Sequence, residues 1–264
     1  MSQEPKYSSF FPLWMYVLPI WPLIIYCVDV YYDKDQYWFL SMNHLSSQLP
    51  DQLWTNLSLF GNGWSIFAIA FPLLIFHRKP LYAAVISGFF AGIFSHIAKA
   101  IFDTSRPAGV LDHNLFHIIE QPLTHSAMPS GHTMTAFSIA TAIYFSIPPL
   151  KRGPWSFVFF IAMAAGISRI AVGAHWPEDV LVGGSLGMIA GIIGAILACK
   201  IPDRFLEISA WPAKIVLFSS LICSYLLITS KIDFAVNYNT QIGLVILIAL
   251  TWMMIIPKIF LNKR

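Results

Sequence analysis

The sequence is poor in charge. Of its 264 residues, 16 are Lys or Arg and 13 are Asp or Glu, so charged side chains make up 11% of the chain. An ordinary soluble domain carries about 25%. A globule of this length needs a charged surface that this chain cannot build, so a soluble enzyme is excluded. Disorder is excluded too, because 57% of the residues are apolar and disordered chains are polar. A net charge of +3 over the whole length offers no basic face to nucleic acid, and no nucleic-acid partner is expected. Cysteine is sparse: Cys27, Cys199 and Cys223 match no disulfide or zinc spacing. They read as small buried apolar residues. Alternating polar and apolar positions are also missing, which rules out a membrane β-barrel.

What the chain does have is long apolar runs. A bilayer core of about 30 Å is crossed by roughly 20 apolar residues in a helix. Eight runs approach that length: 11–29, 57–76, 81–102, 132–148, 154–173, 179–199, 212–230 and 241–259. The expected fold is all-α, a polytopic transmembrane helical bundle of about eight spans, one membrane domain over 1–264. The first run has the length of a signal sequence. It holds Pro12, Pro19 and Pro22, and no small-residue cleavage site precedes Asp29, so a kinked span is expected. Gly183, Gly187 and Gly191 fall on one face of the sixth run, a pattern of close helix packing.

Charge placement sets an expected orientation. With a cytoplasmic N-terminus and every run crossing, the inside holds Lys6, Arg78, Lys79, Lys151, Arg152, Lys200, Arg204, Lys214, Lys258, Lys263 and Arg264. The outside holds Lys34, Lys99, Arg106, Arg169 and Lys231. This excess is the sense required by the positive-inside rule, and it puts both termini in the cytoplasm. The two long loops, about 29–56 and 103–128, then lie outside, where function is expected.

Three polar clusters share that outer side. Lys99 closes an apolar run, and Arg106-Pro107 follows seven residues later. Pro129-Ser130-Gly131-His132 opens the fourth run. There Ser130 is a natural N-cap, and free N–H groups at a helix start attract phosphate. Ser168-Arg169 and His175-Trp176-Pro177-Glu178-Asp179 join the fifth run to the sixth. His175 and Asp179 are four positions apart, close enough for a carboxylate to orient an imidazole. Each cluster alone could be an interfacial lysine, an ordinary helix cap or a solvated turn. Together they place three cations, two histidines, a carboxylate and a helix N-terminus on one face. That inventory suits phosphoryl transfer, where positioning and charge stabilisation dominate.

The spacing Lys99-x6-Arg106-Pro107, Pro129-Ser130-Gly131-His132, Ser168-Arg169-x5-His175-x3-Asp179 resembles the signature of the type 2 phosphatidic acid phosphatase (PAP2) superfamily of membrane lipid phosphatases. The resemblance covers roughly residues 57–199 and implies a six-helix core within 1–200. Residues 201–264, with two additional helices, lie beyond it. It implies His175 as nucleophile, forming a phosphohistidine, with Asp179 orienting it and His132 as general acid. It assigns phosphate contacts to Lys99, Arg106, Arg169, Ser130 and Gly131, and a supporting role for Arg169 to Ser168. It implies no metal and no cofactor.

The remaining polar residues read more simply. His113 and His117 are four apart and are expected in a solvated loop that shapes headgroup selectivity. Lys34 and Lys231 read as ordinary loop lysines. The expected substrate is a lipid phosphate or diphosphate: an undecaprenyl-type diphosphate, phosphatidic acid, phosphatidylglycerophosphate or a lipid A phosphate. The expected setting is a bacterial inner membrane with a periplasmic site. Two alternatives remain: a lipid phosphotransferase using the same intermediate, and a non-catalytic lipid-binding membrane protein.

Overall fold

The computed structural model describes the backbone of residues 11–261 and side chains through 258. Lys6, Lys263 and Arg264, used above for orientation, lie outside the described residues. No β-strand occurs among the described residues, whose regular structure is all helical. The main helices are α1 (Leu13–Val17), α2 (Ile20–Tyr32), α3 (Asp35–Ser46), α4 (Asp51–Ser58), α5 (Gly63–Ala70) and α6 (Arg78–Phe102). They continue as α7 (Gly131–Ser146), α8 (Phe157–Ala171), α9 (Pro177–Cys199), α10 (Trp211–Thr229) and α11 (Tyr238–Leu261).

Among the described residues, six helices are long and apolar enough to cross a membrane, and the pair Asp51–Gly61 and Gly63–Phe76, bent by 77°, counts as a seventh if it is one span. The bend falls where Asn62 caps α5, its side chain accepting from Trp64 N and Ser65 N. The predicted first span is broken at Pro19, between α1 and α2. The predicted fourth run forms α7, which at 16 residues is short for a span. It is mostly buried and packs against α6, α8 and α9, so it is wrapped by protein rather than lipid. Large apolar residues on the outer helices, among them Phe89, Phe160, Phe218 and Met253, are exposed, as lipid-facing surfaces require.

The glycine series does what its spacing predicts. A Cβ at Gly183 would lie 2.6 Å from Ser130 O, and one at Gly191 2.5 Å from Ser138 O. Gly187 faces Met134 O in the same way. Positions 183, 187 and 191 of α9 thus ride on positions 130, 134 and 138 of α7, one turn for one turn. This contact holds the start of α7, with His132, against the start of α9, with Asp179. Helices α10 and α11 pack against α5 through a cluster that includes Phe71, Leu217, Cys223 and Ile248.

Candidate active site

Helix ends build the site. Helix α6 stops at Asp103, whose left-handed backbone (φ 36°) lets its N–H close on Lys99 O. Helix α9 starts at Pro177, which lacks the N–H a first turn cannot satisfy. Asp179 Oδ2 accepts from Trp176 N at 2.9 Å, so the catalytic candidate also caps its own helix. Trp176 Nε1 donates to Ser105 O at 2.9 Å, and its ring meets Phe39 edge-on. Trp176 therefore anchors this turn to α3 and does not line the cavity.

A cavity of about 390 Å³ brings together Lys99, Arg106, Gly131, His132, Arg169 and His175. The loop 103–128 contributes Ile118, Ile119, Glu120, Gln121 and Leu123 to its wall. His175 is 2% exposed, and its Nδ1 lies 3.1 Å from Asp179 Oδ2. Its Nε2 lies 3.3 Å from Arg106 Nη1. With Nδ1 on the carboxylate, Nε2 is the nitrogen left for chemistry. Burial first, then the charges of Arg106 and Arg169, hold the His175 imidazole well below its ordinary 6.5. A neutral imidazole is the nucleophilic form.

Arg106 fans across the site. Its Nε donates to His125 O at 2.7 Å, Nη2 to Ser126 O at 3.3 Å and Nη1 to Ala174 O at 3.0 Å. Arg169 Nη1 donates to Ser58 Oγ. Its Nε is buried and has no acceptor among the described residues. A buried guanidinium N–H without an acceptor is costly, and an oxyanion in the cavity would supply one.

The structure changes several readings. Ser168, expected to support Arg169, instead donates from Oγ to Ala165 O in its own helix; Ser58 does the supporting. Ser130 is fully buried, and its Oγ accepts from Thr133 N and Thr133 Oγ1. It caps α7, whereas Gly131 reaches the cavity wall. His113 and His117 stay in the 103–128 loop, as expected, with separate partners in Ala108 O and Asp51. Lys231 is more than an ordinary loop lysine: it lines the cavity and pairs with Glu120 at 2.8 Å. Burial acts to raise the Glu120 carboxyl, but Lys231 and the Ala235 N–H outweigh it and hold it below the usual carboxylate range.

Sequence reasoning missed Asp233 altogether. It lies in the loop between α10 and α11, lines the cavity, and its Oδ2 is 2.8 Å from His132 Nε2. Asn62 Nδ2 donates to the other oxygen at 3.4 Å. Burial acts to raise this carboxyl, but His132, Arg169 and Asn62 together hold it below its ordinary value. Phe234 lies beneath the Arg169 guanidinium, 5.8 Å from its ring centre. The segment beyond the expected core thus supplies a second carboxylate–histidine pair and part of the cavity wall.

Comparison with known proteins agrees with this geometry. The profile described as PAP2 superfamily matches residues 79–203. A lipid A 1-phosphatase from Porphyromonas gingivalis is 41% identical over 26% of this chain and 16% of its own length. An undecaprenyl-diphosphatase from Sulfolobus acidocaldarius is 29% identical over 57% of this chain and 72% of its own. The chain thus spans a small part of the first relative and most of the second. The crystal structure of Aquifex aeolicus LpxE superposes with a TM-score of 0.53 and 28% identity, covering 61% of this chain and 93% of that one. With its signature residues gathered around one cavity, the segment 79–203 is a PAP2 superfamily domain.

Proposed function

We propose that the protein is a membrane phosphatase that removes phosphate from a lipid phosphate or diphosphate through a phosphohistidine. The observation that carries this reading is the convergence of His175, His132, Lys99, Arg106 and Arg169 on one cavity, with an acceptorless guanidinium N–H at Arg169. The similarity to a lipid A 1-phosphatase and an undecaprenyl-diphosphatase supports the substrate class.

His175 Nε2 attacks phosphorus while Asp179 holds Nδ1–H and stabilises the cation that develops. Lys99, Arg106, Arg169 and the Gly131 N–H neutralise the equatorial oxygens. His132, held by Asp233, gives a proton to the departing oxygen, so the P–O bond breaks as the P–N bond forms. Water then attacks phosphorus with His132 as base, releasing phosphate and neutral His175. No step calls for a metal. A cavity of about 390 Å³ suits a phosphorylated headgroup and leaves the acyl or prenyl chains in the bilayer. The positive-inside pattern supports a site on the outer, periplasmic face of a bacterial inner membrane.

The test is a lipid panel in detergent, with and without EDTA, comparing wild type with His175→Ala. EDTA-resistant release of free phosphate that the substitution abolishes is expected. Loss of activity in EDTA at a temperature where the stripped protein is still fully folded, with recovery on adding a divalent cation, would sink the mechanism. A newly phosphorylated lipid in place of free phosphate would identify a transferase.

A further inference from the structure

Three carboxylates from three helices meet outside the catalytic cavity: Asp29 on α2, Asp35 at the start of α3 and Glu178 in the first turn of α9. One oxygen of each lies within 4.8 Å of the other two. None of the three lines the cavity that holds His175. Asp29 is only 8% exposed, and its Oδ2 has no hydrogen-bond partner among the described residues. Asp35 Oδ1 accepts from Glu178 N at 3.3 Å, the one donor to these carboxylates among the described residues. Among the described residues, no lysine, arginine or histidine pairs with any of them.

Such a group does not stay fully ionised unaided. Like charges in a poorly hydrated place repel, and a buried carboxylate oxygen with no donor is costly. A hard divalent cation meets that need: it cancels two charges and takes several oxygen ligands. Calcium binds oxygens at about 2.3–2.6 Å, so ligands on opposite sides of one ion lie about 5 Å apart. Three oxygens that all lie within 4.8 Å of one another can reach one such ion. Ligands drawn from three separate helices favour calcium, with its flexible geometry, over magnesium, which demands a near-ideal octahedron.

We propose that Asp29, Asp35 and Glu178 form a calcium site that ties the α2–α3 hairpin to the start of α9. Glu178 lies in the first turn of α9, so the ion pins that helix start to α2 and α3. Because the ligands stay outside the cavity, the ion governs folding stability and takes no part in the phosphate chemistry. The site stands apart from the proposed phosphatase reading.

The test uses the full-length protein in a phosphate-free detergent, stripped with EDTA and titrated with Ca²⁺ while the thermal unfolding midpoint is followed. Tb³⁺ luminescence gives a direct binding signal, since Trp38 lines the same groove as Asp29. Wild type should show a rising midpoint and half-saturation at about 0.1–1 mM, the range of extracellular calcium modules. Asp35→Asn should bind at least tenfold more weakly, yet unfold in EDTA at or above the wild-type temperature because one repulsive charge is gone. Asp29→Asn should repeat that pattern. No midpoint shift and no Tb³⁺ signal in wild type, or an undiminished response in both variants, would overturn the assignment.

Discussion

Asp233 Oδ2 lies 2.8 Å from His132 Nε2, across 101 residues of sequence. The two histidines proposed for catalysis are therefore matched: each has one ring nitrogen on a carboxylate. The carboxylate of His175 comes from the next turn of chain, that of His132 from beyond the matched PAP2 segment. A carboxylate in this place fixes the tautomer and stabilises the imidazolium that the proposed mechanism requires as proton donor. Asp233→Asn should lower kcat about 10- to 100-fold, a fraction of what general acid–base catalysis supplies. It should leave KM within about threefold and move the alkaline limb of the pH–rate profile to lower pH. A variant with wild-type kcat and an unshifted limb would remove Asp233 from the mechanism.

The part of the site that could be read from sequence is the part fixed locally. Lys99, Arg106, His132, Arg169, His175 and Asp179 sit at helix ends, and their spacing survives any rearrangement of the bundle. Asp233 gave no such signal, because its approach to His132 depends on how α10 and α11 pack against α5. A weak clue did exist: Asp233 interrupts Ile232 and Phe234, both buried, in a loop between two apolar runs. The bend at Asn62 was legible in principle, since Gly61-Asn62-Gly63 is a stop followed by a helix cap. It was masked because the run 57–76 has the length of one span. The shortness of α7 was already visible in the run 132–148, but its burial by protein could not be foreseen, because an all-round apolar helix reads the same whether lipid or protein surrounds it.

The burial of His175 has a pH consequence. Its folded value is lowered from 6.5, so the folded protein stays uncharged there while the unfolded chain gains a proton as pH falls. Stability present above pH 6.5 is then lost through the window below it. His175→Gln should be inactive but should lose less of its thermal midpoint than wild type between pH 7 and 5. In wild type, kcat/KM should persist below pH 6.5 before its acid limb begins. Equal midpoint losses in the two proteins would mean His175 is not the buried neutral base described here.

Arg106 should not tolerate lysine. Its guanidinium joins the carbonyls of His125 and Ser126 to Ala174 O and His175 Nε2. One ammonium cannot span that set or make a planar two-point contact to phosphate. Arg106→Lys should cut kcat/KM by about 100-fold or more and lower stability by about 1–3 kcal/mol through stranded buried carbonyls. Steady-state kinetics and thermal unfolding on the same preparation check both effects. A purely electrostatic role for Arg106 would leave stability unchanged and activity largely intact.

Gly183 ties activity to packing. A Cβ there would stand 2.6 Å from Ser130 O, a backbone atom that cannot rotate away. Gly183→Ala should therefore push the start of α7 from α9 and cost about 1–3 kcal/mol, as overpacking does. The same displacement separates His132 and Gly131 from His175 and Asp179. Misplacement by about 1 Å can cost about 100-fold in rate, so kcat should fall more than the loss of stability alone predicts. Gly88→Ala is the control, because a Cβ at Gly88 meets nothing within 4 Å. It should be neutral or stabilising by a few tenths of a kcal/mol, since alanine favours a helix more than glycine does. If Gly183→Ala matched this control in both stability and kcat, the one-turn registry of α7 on α9 would not be what holds the two halves of the site together.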